Sequence, residues 1–486
     1  MLTNIFSVND IKVIVHTSRS ATSRGAAKPK WDSMTISYLT EAQLQSTLSG
    51  NGHINNAVIN GVLNQLEKDG VYGSDPTTGG EVQAGPYISN DTAVFSQVLD
   101  ITSAASGTVI NTKPELKAIV VQTASPIQTF VTGSTDVYIG LGSGNDSISL
   151  LDSGNDTVLG GAGNDVITGG AGADLIQGGR GDDNIFGGSG ANTIIGGAGD
   201  NFLRIGGAHQ LAEGGGNGNN TILDLGGYAG AGTSTLTAGT GNDTITGFGG
   251  DTINGGNGAA GSTGHSILNG GDSSDIESHS SASTYNILNS GSTGDGNGNN
   301  LVGGAGADTL NGGNGHDTLT AGSGDQLLMA GSGAHQSLLG GAGNDVLKDL
   351  YSGGTDTLTA GAGTGTQTLY GQQGDTFSSA AGAAGNNTFW VESGSGAGSS
   401  LTGGAGNDTF NIQTHAGNDT ITGGGGNDAV SFAGRSVGDV ASLNQIDPNN
   451  VSAGFELTFN GGQSFELHGI SELQFGNDGQ NVILPK

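Results

Sequence analysis

Residues 151–204 read LDSGNDTVL, GGAGNDVIT, GGAGADLIQ, GGRGDDNIF, GGSGANTII and GGAGDNFLR, which are six consecutive nonapeptides. Each begins with a six-residue stretch rich in glycine and ends with three residues whose central member is aliphatic. The sixth position is aspartate in the first four, so Asp156, Asp165, Asp174 and Asp183 recur every nine residues. A period this strict indicates an architecture in which one short unit is stacked many times.

The pattern also occurs outside this run. LGSGNDSIS (141–149) precedes it with one extra residue, and GGAGADTLN (303–311) and GGNGHDTLT (312–320) follow later. The motif resembles the repeats-in-toxin (RTX) nonapeptide, G-G-x-G-x-D-x-U-x, a calcium-binding repeat. The resemblance covers residues 131–432 with degenerate stretches. It implies a mostly β protein, in which the repeats form a parallel β-roll or β-solenoid.

Elementary geometry leads to the same fold. Glycines suit a turn whose backbone angles a Cβ would oppose, and they let carbonyl groups approach a cation. The next three residues form a short strand whose central side chain, such as Ile167, Ile176 or Ile185, points inward because side chains alternate in a strand. Two nonapeptides make one coil, so equivalent turns lie about 4.8 Å apart. The aspartates of neighbouring coils are therefore expected to stack.

Stacked carboxylates require a counterion. Two unit charges about 4 Å apart repel by roughly 4 kcal/mol at an effective dielectric constant of 20. Carboxylate and carbonyl oxygens suit Ca²⁺ better than Mg²⁺, which demands stricter octahedral geometry. We therefore expect several Ca²⁺ ions. The candidate ligands are Asp146, Asp156, Gly161, Gly163, Asp165, Gly170, Gly172, Asp174, Gly179, Gly181, Asp183, Asp243, Asp308, Asp317, Asp345, Asp356, Asp408, Asp419 and Asp428.

Other residues at or near this position leave alternatives open. Aspartate and glycine also favour ordinary turns, and the isolated matches at Asp275 and Asp375 fit either interpretation. In some repeats an amide replaces the acid, which predicts a polar ladder without charge and few cations nearby. These amides are Asn192, Asn201, Asn220, Gln326, Gln367 and Asn387.

Composition and charge exclude several classes of protein. The 486 residues include 97 glycines and no cysteine, and the net charge of −31 disfavours nucleic acid as a partner. No apolar run reaches the roughly 18–20 residues of a membrane span, so membrane insertion is not expected. The first 33 residues contain no signal-peptide core, which predicts export without a cleavable N-terminal signal.

The two ends differ from the repeats. Residues 1–130 are predicted to form a small α+β region for capping, anchoring or assembly, with one helix opening at Thr40 and another over 56–68. Residues 433–486 are predicted to form a β cap, because an alternating pattern flanks Asn460-Gly461 as in a hairpin. The RTX resemblance implies that this tail carries a type I secretion signal.

Catalytic motifs are weak. None of the nine histidines has another four residues on, which excludes the H-E-x-x-H zinc site. One G-x-S-x-G surrounds Ser436, with Asp439 and His468 downstream, but no helix pattern follows it. We therefore expect a protein that is not an enzyme.

These observations predict a secreted calcium-binding structural protein of a Gram-negative cell surface. It would assemble into a surface layer or extracellular filament when external calcium binds. The expected partners are further copies of the chain, cell-surface polysaccharide and the type I secretion machinery. A monomeric RTX adhesin or biofilm-matrix protein is the alternative, followed by an ice-binding protein or an RTX hydrolase.

Overall fold

A computed structural model describes residues 117–485 with short gaps at 133–134, 208, 227–232, 257–263, 272–273, 279, 281–283, 292–297, 352–354, 393–396 and 415–417. Before residue 117 it describes six strands and Gln45, Asn60 and Val62. These three residues have helical backbone, and the rest of the two predicted helices lies outside the described residues. The chain divides into unit 1 (1–234) and unit 2 (235–486).

Unit 1 is built from short strands. Their bounds are β1 (Phe6–Val8), β2 (Ile11–Val13), β3 (Thr35–Leu39), β4 (Gly80–Pro86), β5 (Val98–Ser103), β6 (Thr108–Asn111), β7 (Ala118–Val121), β8 (Ile127–Val131), β9 (Tyr138–Gly140), β10 (Ser147–Leu150), β11 (Thr157–Ala162), β12 (Val166–Thr168), β13 (Leu175–Arg180), β14 (Asn184–Phe186), β15 (Thr193–Ala198), β16 (Phe202–Ile205), β17 (Leu211–Gly215) and β18 (Thr221–Asp224).

Unit 2 continues with strands of the same kind. Their bounds are β19 (Thr235–Thr237), β20 (Thr244–Thr246), β21 (Thr252–Asn254), β22 (Ile267–Asn269), β23 (Asp275–Glu277), β24 (Ile287–Asn289), β25 (Asn300–Val302), β26 (Thr309–Asn311), β27 (Thr318–Thr320), β28 (Leu327–Met329), β29 (Ser337–Leu339), β30 (Val346–Lys348), β31 (Thr357–Ala360), β32 (Thr368–Gly371), β33 (Thr376–Ser379), β34 (Thr388–Val391), β35 (Ser400–Thr402), β36 (Thr409–Ile412), β37 (Asp419–Thr422), β38 (Asp428–Phe432), β39 (Val440–Asp447), β40 (Asn450–Phe459), β41 (Ser464–His468), β42 (Ile470–Phe475) and β43 (Gln480–Ile483), with a 3₁₀ helix at Val437–Asp439.

Each unit is a parallel β-solenoid. In unit 1, odd-numbered strands from β5 to β17 pair in one ladder and even-numbered strands from β6 to β18 in a second, all parallel. Unit 2 repeats this arrangement from β19 and β20 up to β37 and β38. The predicted fold class is confirmed. Parallel pairing extends beyond 131–432 in both directions, to β4 and to β42.

The core consists of aliphatic side chains from the centres of the short strands. Ile167, Ile176 and Ile185 are fully buried, as predicted, and the pairing places Ile176 level with Val158 and Ile194. Their neighbours face outward, and Leu175 is 40% exposed. In unit 2 the same position carries phenylalanine in later coils, where the Phe389 and Phe410 rings stack with centroids 4.8 Å apart. A small apolar content is therefore enough to fill this core.

Glycine is required where coils approach each other. Gly179 has φ +113°, and a Cβ added there would lie 2.3 Å from the carbonyl oxygen of Gly161 in the preceding coil. Any larger residue would therefore push two coils apart.

The C-terminal strands cover the last coil of unit 2. The predicted hairpin forms, since β40 and β41 pair antiparallel with Phe455 opposite Leu467. Strand β41 then adds to β37 and β42 to β38, so the edges of the last coil are paired. Phe459, Phe465 and Phe475 pack around Phe432 beneath this cap.

We predict that Ile176→Ala lowers the free energy of unfolding by about 2–5 kcal/mol, because it leaves a cavity that rigid coils cannot close. Leu175→Ala removes a neighbouring, partly exposed side chain and is the matched control, with an expected loss of about 1 kcal/mol or less. Denaturant unfolding followed by circular dichroism at saturating calcium measures both. Equal losses of stability in the two variants would contradict the assignment of Ile176 to the core and Leu175 to the surface.

Candidate metal centre

The aspartates predicted from the repeat form buried columns. All thirteen have an exposed fraction of 2% or less, although they lie where a turn meets the next strand. They are Asp146, Asp156, Asp165, Asp174, Asp183, Asp243, Asp308, Asp317, Asp345, Asp356, Asp408, Asp419 and Asp428. Of the isolated matches, Asp375 is also buried, whereas Asp275 points outward from β23.

In twelve of these thirteen aspartates, one carboxylate oxygen accepts a backbone hydrogen bond from the coil before it. The Asp156 N–H donates to Asp174 Oδ1 at 2.9 Å, across 18 residues, and the Asp165 N–H to Asp183 Oδ1 at 2.8 Å. The same bond recurs in unit 2, where the Asp408 N–H donates to Asp428 Oδ1 at 2.8 Å. The spacing of 18 confirms that two nonapeptides make one coil in the unit 1 run. The sixth side chain is therefore a structural link between coils.

The second oxygen is unpartnered in unit 1. Oδ2 of Asp146, Asp156, Asp165, Asp174 and Asp183 is buried and accepts no hydrogen bond. Burial raises the pKa of Asp156 and Asp165 to about 8 and that of Asp146 and Asp183 to about 6. Neighbouring aspartates raise the pKa values of Asp156 and Asp165 further. A buried acceptor with no donor is a position at which a cation would be stabilised.

Glycines leave room beside these oxygens. A Cβ added to Gly160 would lie 2.7 Å from Asp165 Oδ2 and 2.3 Å from the Gly178 carbonyl oxygen. At Gly178 it would lie 2.3 Å from Asp183 Oδ2 and 2.6 Å from the Gly196 carbonyl oxygen. A carboxylate oxygen and a carbonyl oxygen of adjacent coils thus border one small space, which any side chain would fill.

Four turns of unit 2 satisfy the second oxygen internally, although Asp419 Oδ2 is buried without a hydrogen-bond partner. Oδ2 accepts the backbone N–H of the second glycine of the same repeat in Asp308, Asp317, Asp345 and Asp408, at 2.6–2.7 Å from Gly304, Gly313, Gly341 and Gly404. In unit 1, strands β11 and β13 run on through the second glycines Gly161 and Gly179, which pair with each other instead. The carboxylates Asp165 and Asp183 therefore lack this donor.

Where the sixth residue is asparagine or glutamine, its side-chain amide nitrogen can donate to a turn carbonyl group that a cation could otherwise contact. Asn192 Oδ1 accepts the Asp174 N–H at 2.7 Å, as an aspartate would, and Asn192 Nδ2 donates to the Gly187 carbonyl. Glutamine reaches the equivalent turn of the preceding coil. Gln326 Nε2 lies 2.7 Å from the Gly304 carbonyl oxygen and 3.4 Å from the Gly306 carbonyl oxygen. Gln367 contacts the Gly341 and Gly343 carbonyls in the same way, at 2.8 and 3.5 Å. The predicted neutral ladder therefore forms.

These amides indicate which carbonyl groups face the column. Gly304 and Gly306 are the second and fourth residues of their turn, and Gly161 and Gly163 hold the same positions in theirs. Gly163 and Gly181 have positive φ, as do Gly161 and Gly179. Gly170 and Gly172 are needed for space instead, since a Cβ would lie 2.6 Å from the Asp152 carbonyl oxygen and 1.6 Å from that of Gly154.

Among the described residues, the sequence analysis missed four buried aspartates, which are Asp152, Asp224, Asp251 and Asp349. Asp349 follows β30 directly, Asp152 follows β10 after one residue, and both occupy the part of the turn where glycine is expected. Both carboxylate oxygens of Asp152 lack a hydrogen-bond partner, and burial raises its pKa. For Asp152 and Asp349, the only indication in the sequence is an acidic residue at a position where the repeat has glycine.

The donor set suits a hard divalent cation. Every group at these positions is a carboxylate or carbonyl oxygen, which Ca²⁺ prefers, and the buried turns leave little room for the waters that Mg²⁺ retains. The unpartnered oxygens and the glycine-lined spaces fit such an ion. Asp146, Asp156, Asp165, Asp174 and Asp183 would hold it together with turn carbonyls, and it would neutralise their charge.

The serine motif has a local structural role. Ser436 Oγ donates to Asp439 Oδ2 at 2.8 Å, where the two residues cap the 3₁₀ helix. Hydrogen bonds from Ser436 lower the pKa of Asp439. His468 Nε2 pairs with Glu466 Oε1 at 3.0 Å. Ser436 is thus bonded to a carboxylate rather than to a histidine.

Comparison with known families agrees with the geometry. A family model of the RTX calcium-binding nonapeptide repeat, four copies long, matches residues 151–185, 168–203, 228–260, 293–325, 331–349 and 411–434. No curated protein matches the chain. Among the described residues, no helix has the length and apolar character needed to cross a bilayer.

We predict that acid stabilises the protein when calcium is removed. Folded Asp156 and Asp165 have pKa values near 8, against 3.8 ordinarily, so their protonation favours the folded state. This contribution is complete below pH 4 and is lost as the pH rises through 8. In chelator, the melting temperature should fall between pH 5 and pH 9, whereas calcium should restore it at the alkaline end. Combined Asp156→Asn and Asp165→Asn should flatten the dependence. Stability that rises with pH in chelator would refute this account.

We also predict that Asn192→Asp exchanges an internal hydrogen bond for a cation. The variant should bind one more Ca²⁺ per chain and lose stability in chelator, because it replaces the amide donor to Gly187 with an acceptor. Equilibrium dialysis with atomic absorption measures the stoichiometry. Asn184→Asp is the control, since Asn184 points outward from β14 and should add no tightly bound ion.

Proposed function

The chain is an RTX-family repeat protein, and from this premise we propose that it is a secreted calcium-binding structural protein that self-assembles at the cell surface. The assembly would be a surface layer or an extracellular filament, exported by type I secretion. The observation that carries the proposal is the column of unpartnered carboxylates in unit 1. We expect external cations to stabilise this column at neutral pH.

A second set of carboxylates supports assembly. In several turns the fifth residue is an exposed asparagine or aspartate, such as Asn164 or Asp182, whose side chain accepts a backbone N–H from the next coil. Asp182 and Asp200 lie exposed in this outer row, with the Asp200 N–H 2.9 Å from Asp182 Oδ1. At a net charge of −31, copies of the chain repel one another unless cations bridge them. Exposed carboxylates are suitable groups for such bridges.

The proposed role is not enzymatic. Ser436, the candidate nucleophile, is bonded to Asp439 and caps a 3₁₀ helix, which gives this residue a structural reason to be present. Asp439 and Glu466 thus account for the contacts of Ser436 and His468.

A monomeric adhesin is the second candidate, supported by one feature of unit 2. Lys348, Tyr370 and Trp390 occupy equivalent outward positions on β30, β32 and β34. The Tyr370 and Trp390 rings stack at 5.9 Å, and Lys348 Nζ lies 5.4 Å from the Tyr370 ring centre. A row of aromatic and cationic groups could contact a partner such as a cell-surface polysaccharide.

We predict that calcium acts twice, first folding each chain and then, at higher concentration, joining chains. Light scattering, electron microscopy and circular dichroism across a calcium titration at fixed ionic strength would separate the steps. Sodium chloride should weaken the repulsion without replacing the bridges. Combined Asp182→Asn and Asp200→Asn should leave folding unchanged and impair joining. A chain that folds with calcium but stays monomeric would favour the adhesin.

A further inference from the structure

Three aspartates of unit 2 meet where the repeat is irregular. Asp349 begins and Asp356 ends the eight-residue segment between β30 and β31. Asp375 ends the shorter turn between β32 and β33 of the next coil. Because β30 pairs with β32 and β31 with β33, these two turns are stacked.

The three carboxylates converge. One oxygen from each lies within 4.8 Å of the other two, and the residues have exposed fractions of 0%, 2% and 0%. This separation allows all three to reach one ion at the Ca²⁺–oxygen distance of about 2.3–2.6 Å. Most nonapeptide turns supply one buried carboxylate, whereas here Asp349 and Asp356 come from one turn and Asp375 from the turn stacked on it.

Their hydrogen bonds leave one oxygen unpartnered. Asp349 Oδ1 accepts the Tyr351 N–H at 2.9 Å, whereas Asp349 Oδ2 is buried with no hydrogen-bond partner. Asp356 Oδ1 accepts the Gln336 N–H at 2.8 Å. Asp375 Oδ1 accepts the Asp356 N–H at 2.9 Å, and its Oδ2 the Gln372 N–H at 2.6 Å. Backbone donors thus fix the carboxylates in place without neutralising them.

Basic groups near the cluster are engaged elsewhere. Lys348, which precedes Asp349, has its Nζ over the Tyr370 ring. His335 adds a weak favourable charge at Asp356, but its Nδ1 contacts the Thr355 carbonyl oxygen at 3.3 Å. None of the three aspartates forms a salt bridge with a described side chain. Three buried carboxylates without a cationic partner are electrostatically unfavourable in the folded protein.

We propose that Asp349, Asp356 and Asp375 form a separate Ca²⁺ site that locks the irregular coil between β30 and β33. Calcium affinity rises with the number of charged ligands, so this site should fill at lower calcium than the unit 1 turns with one buried carboxylate, such as those that end at Asp165 and Asp183. Mg²⁺ should bind more weakly, because it retains several waters and the site is closed to solvent. The site does not depend on self-assembly.

Hydrogen–deuterium exchange of the full-length protein across a calcium titration tests the proposal. The amides of residues 346–379 should become protected at a calcium concentration about tenfold or more below that for residues 151–186. Magnesium should not substitute at the same concentration. Asp349→Asn should raise the midpoint for 346–379 by about tenfold or more and leave 151–186 unchanged. Asp325→Asn removes an exposed carboxylate in the same unit and should alter neither.

The possible failures are distinguishable. If residues 151–186 respond and 346–379 do not, the cluster is not a calcium site and holds a proton between Asp349 and Asp375 instead. If Asp349→Asn behaves like Asp325→Asn, the proposal is equally wrong. If neither segment responds, calcium-dependent folding fails as well. If Asp349→Asn does not fold, the wild-type titration alone decides between these outcomes. Crystals soaked in terbium should also show an anomalous peak between the three carboxylates if the site exists.

Discussion

The structure depends on one hydrogen bond that recurs along the columns. The side chain at the sixth position of a turn accepts the backbone N–H of the equivalent residue one coil earlier, as Asp183 does from Asp165. This bond satisfies a buried donor in the turn, where no strand ladder is available. Aspartate and asparagine both serve, since Asn192 makes the same contact with Asp174. Stacking of the coils therefore does not require charge at this position.

Whether the sixth side chain is charged determines instead which partner its second terminal atom needs, because this atom is an oxygen in aspartate and a nitrogen in asparagine or glutamine. An asparagine or glutamine nitrogen donates to a turn carbonyl, and Asp308 accepts a glycine N–H through Oδ2. Asp165 Oδ2 has neither and faces the Gly178 carbonyl across a space bordered by oxygen atoms. Two acceptors facing each other in a buried site are unfavourable until a cation lies between them. Calcium dependence is thus a local property of individual turns.

Much of this was predictable from the nine-residue spacing. The spacing predicts the coil, the inward position of Ile176 and the stacking of the repeat aspartates, but not their burial. It does not predict that Asp165 lacks a donor while Asp308 has one, because both lie in GG-x-G-x-D turns and differ in whether the strand continues through the second glycine. Asp349 was missed because its segment is eight residues long, so the match to the repeat is lost where the carboxylates converge. The course of the backbone at the second glycine explains the difference between Asp165 and Asp308, and the length of the segment explains why Asp349 was missed.

The preference for aspartate over glutamate has a geometric cause. Of the 28 acidic residues between 118 and 434, 25 are aspartate. Glutamine shows what one more methylene does, because Gln326 places Nε2 2.7 Å from the Gly304 carbonyl oxygen in the preceding turn. A glutamate there would direct an oxygen at that carbonyl, acceptor against acceptor, unless an ion lay between them. Aspartate keeps its charge within its own turn, where a glycine N–H or a cation can reach it. The column therefore accepts aspartate, asparagine and glutamine and disfavours glutamate.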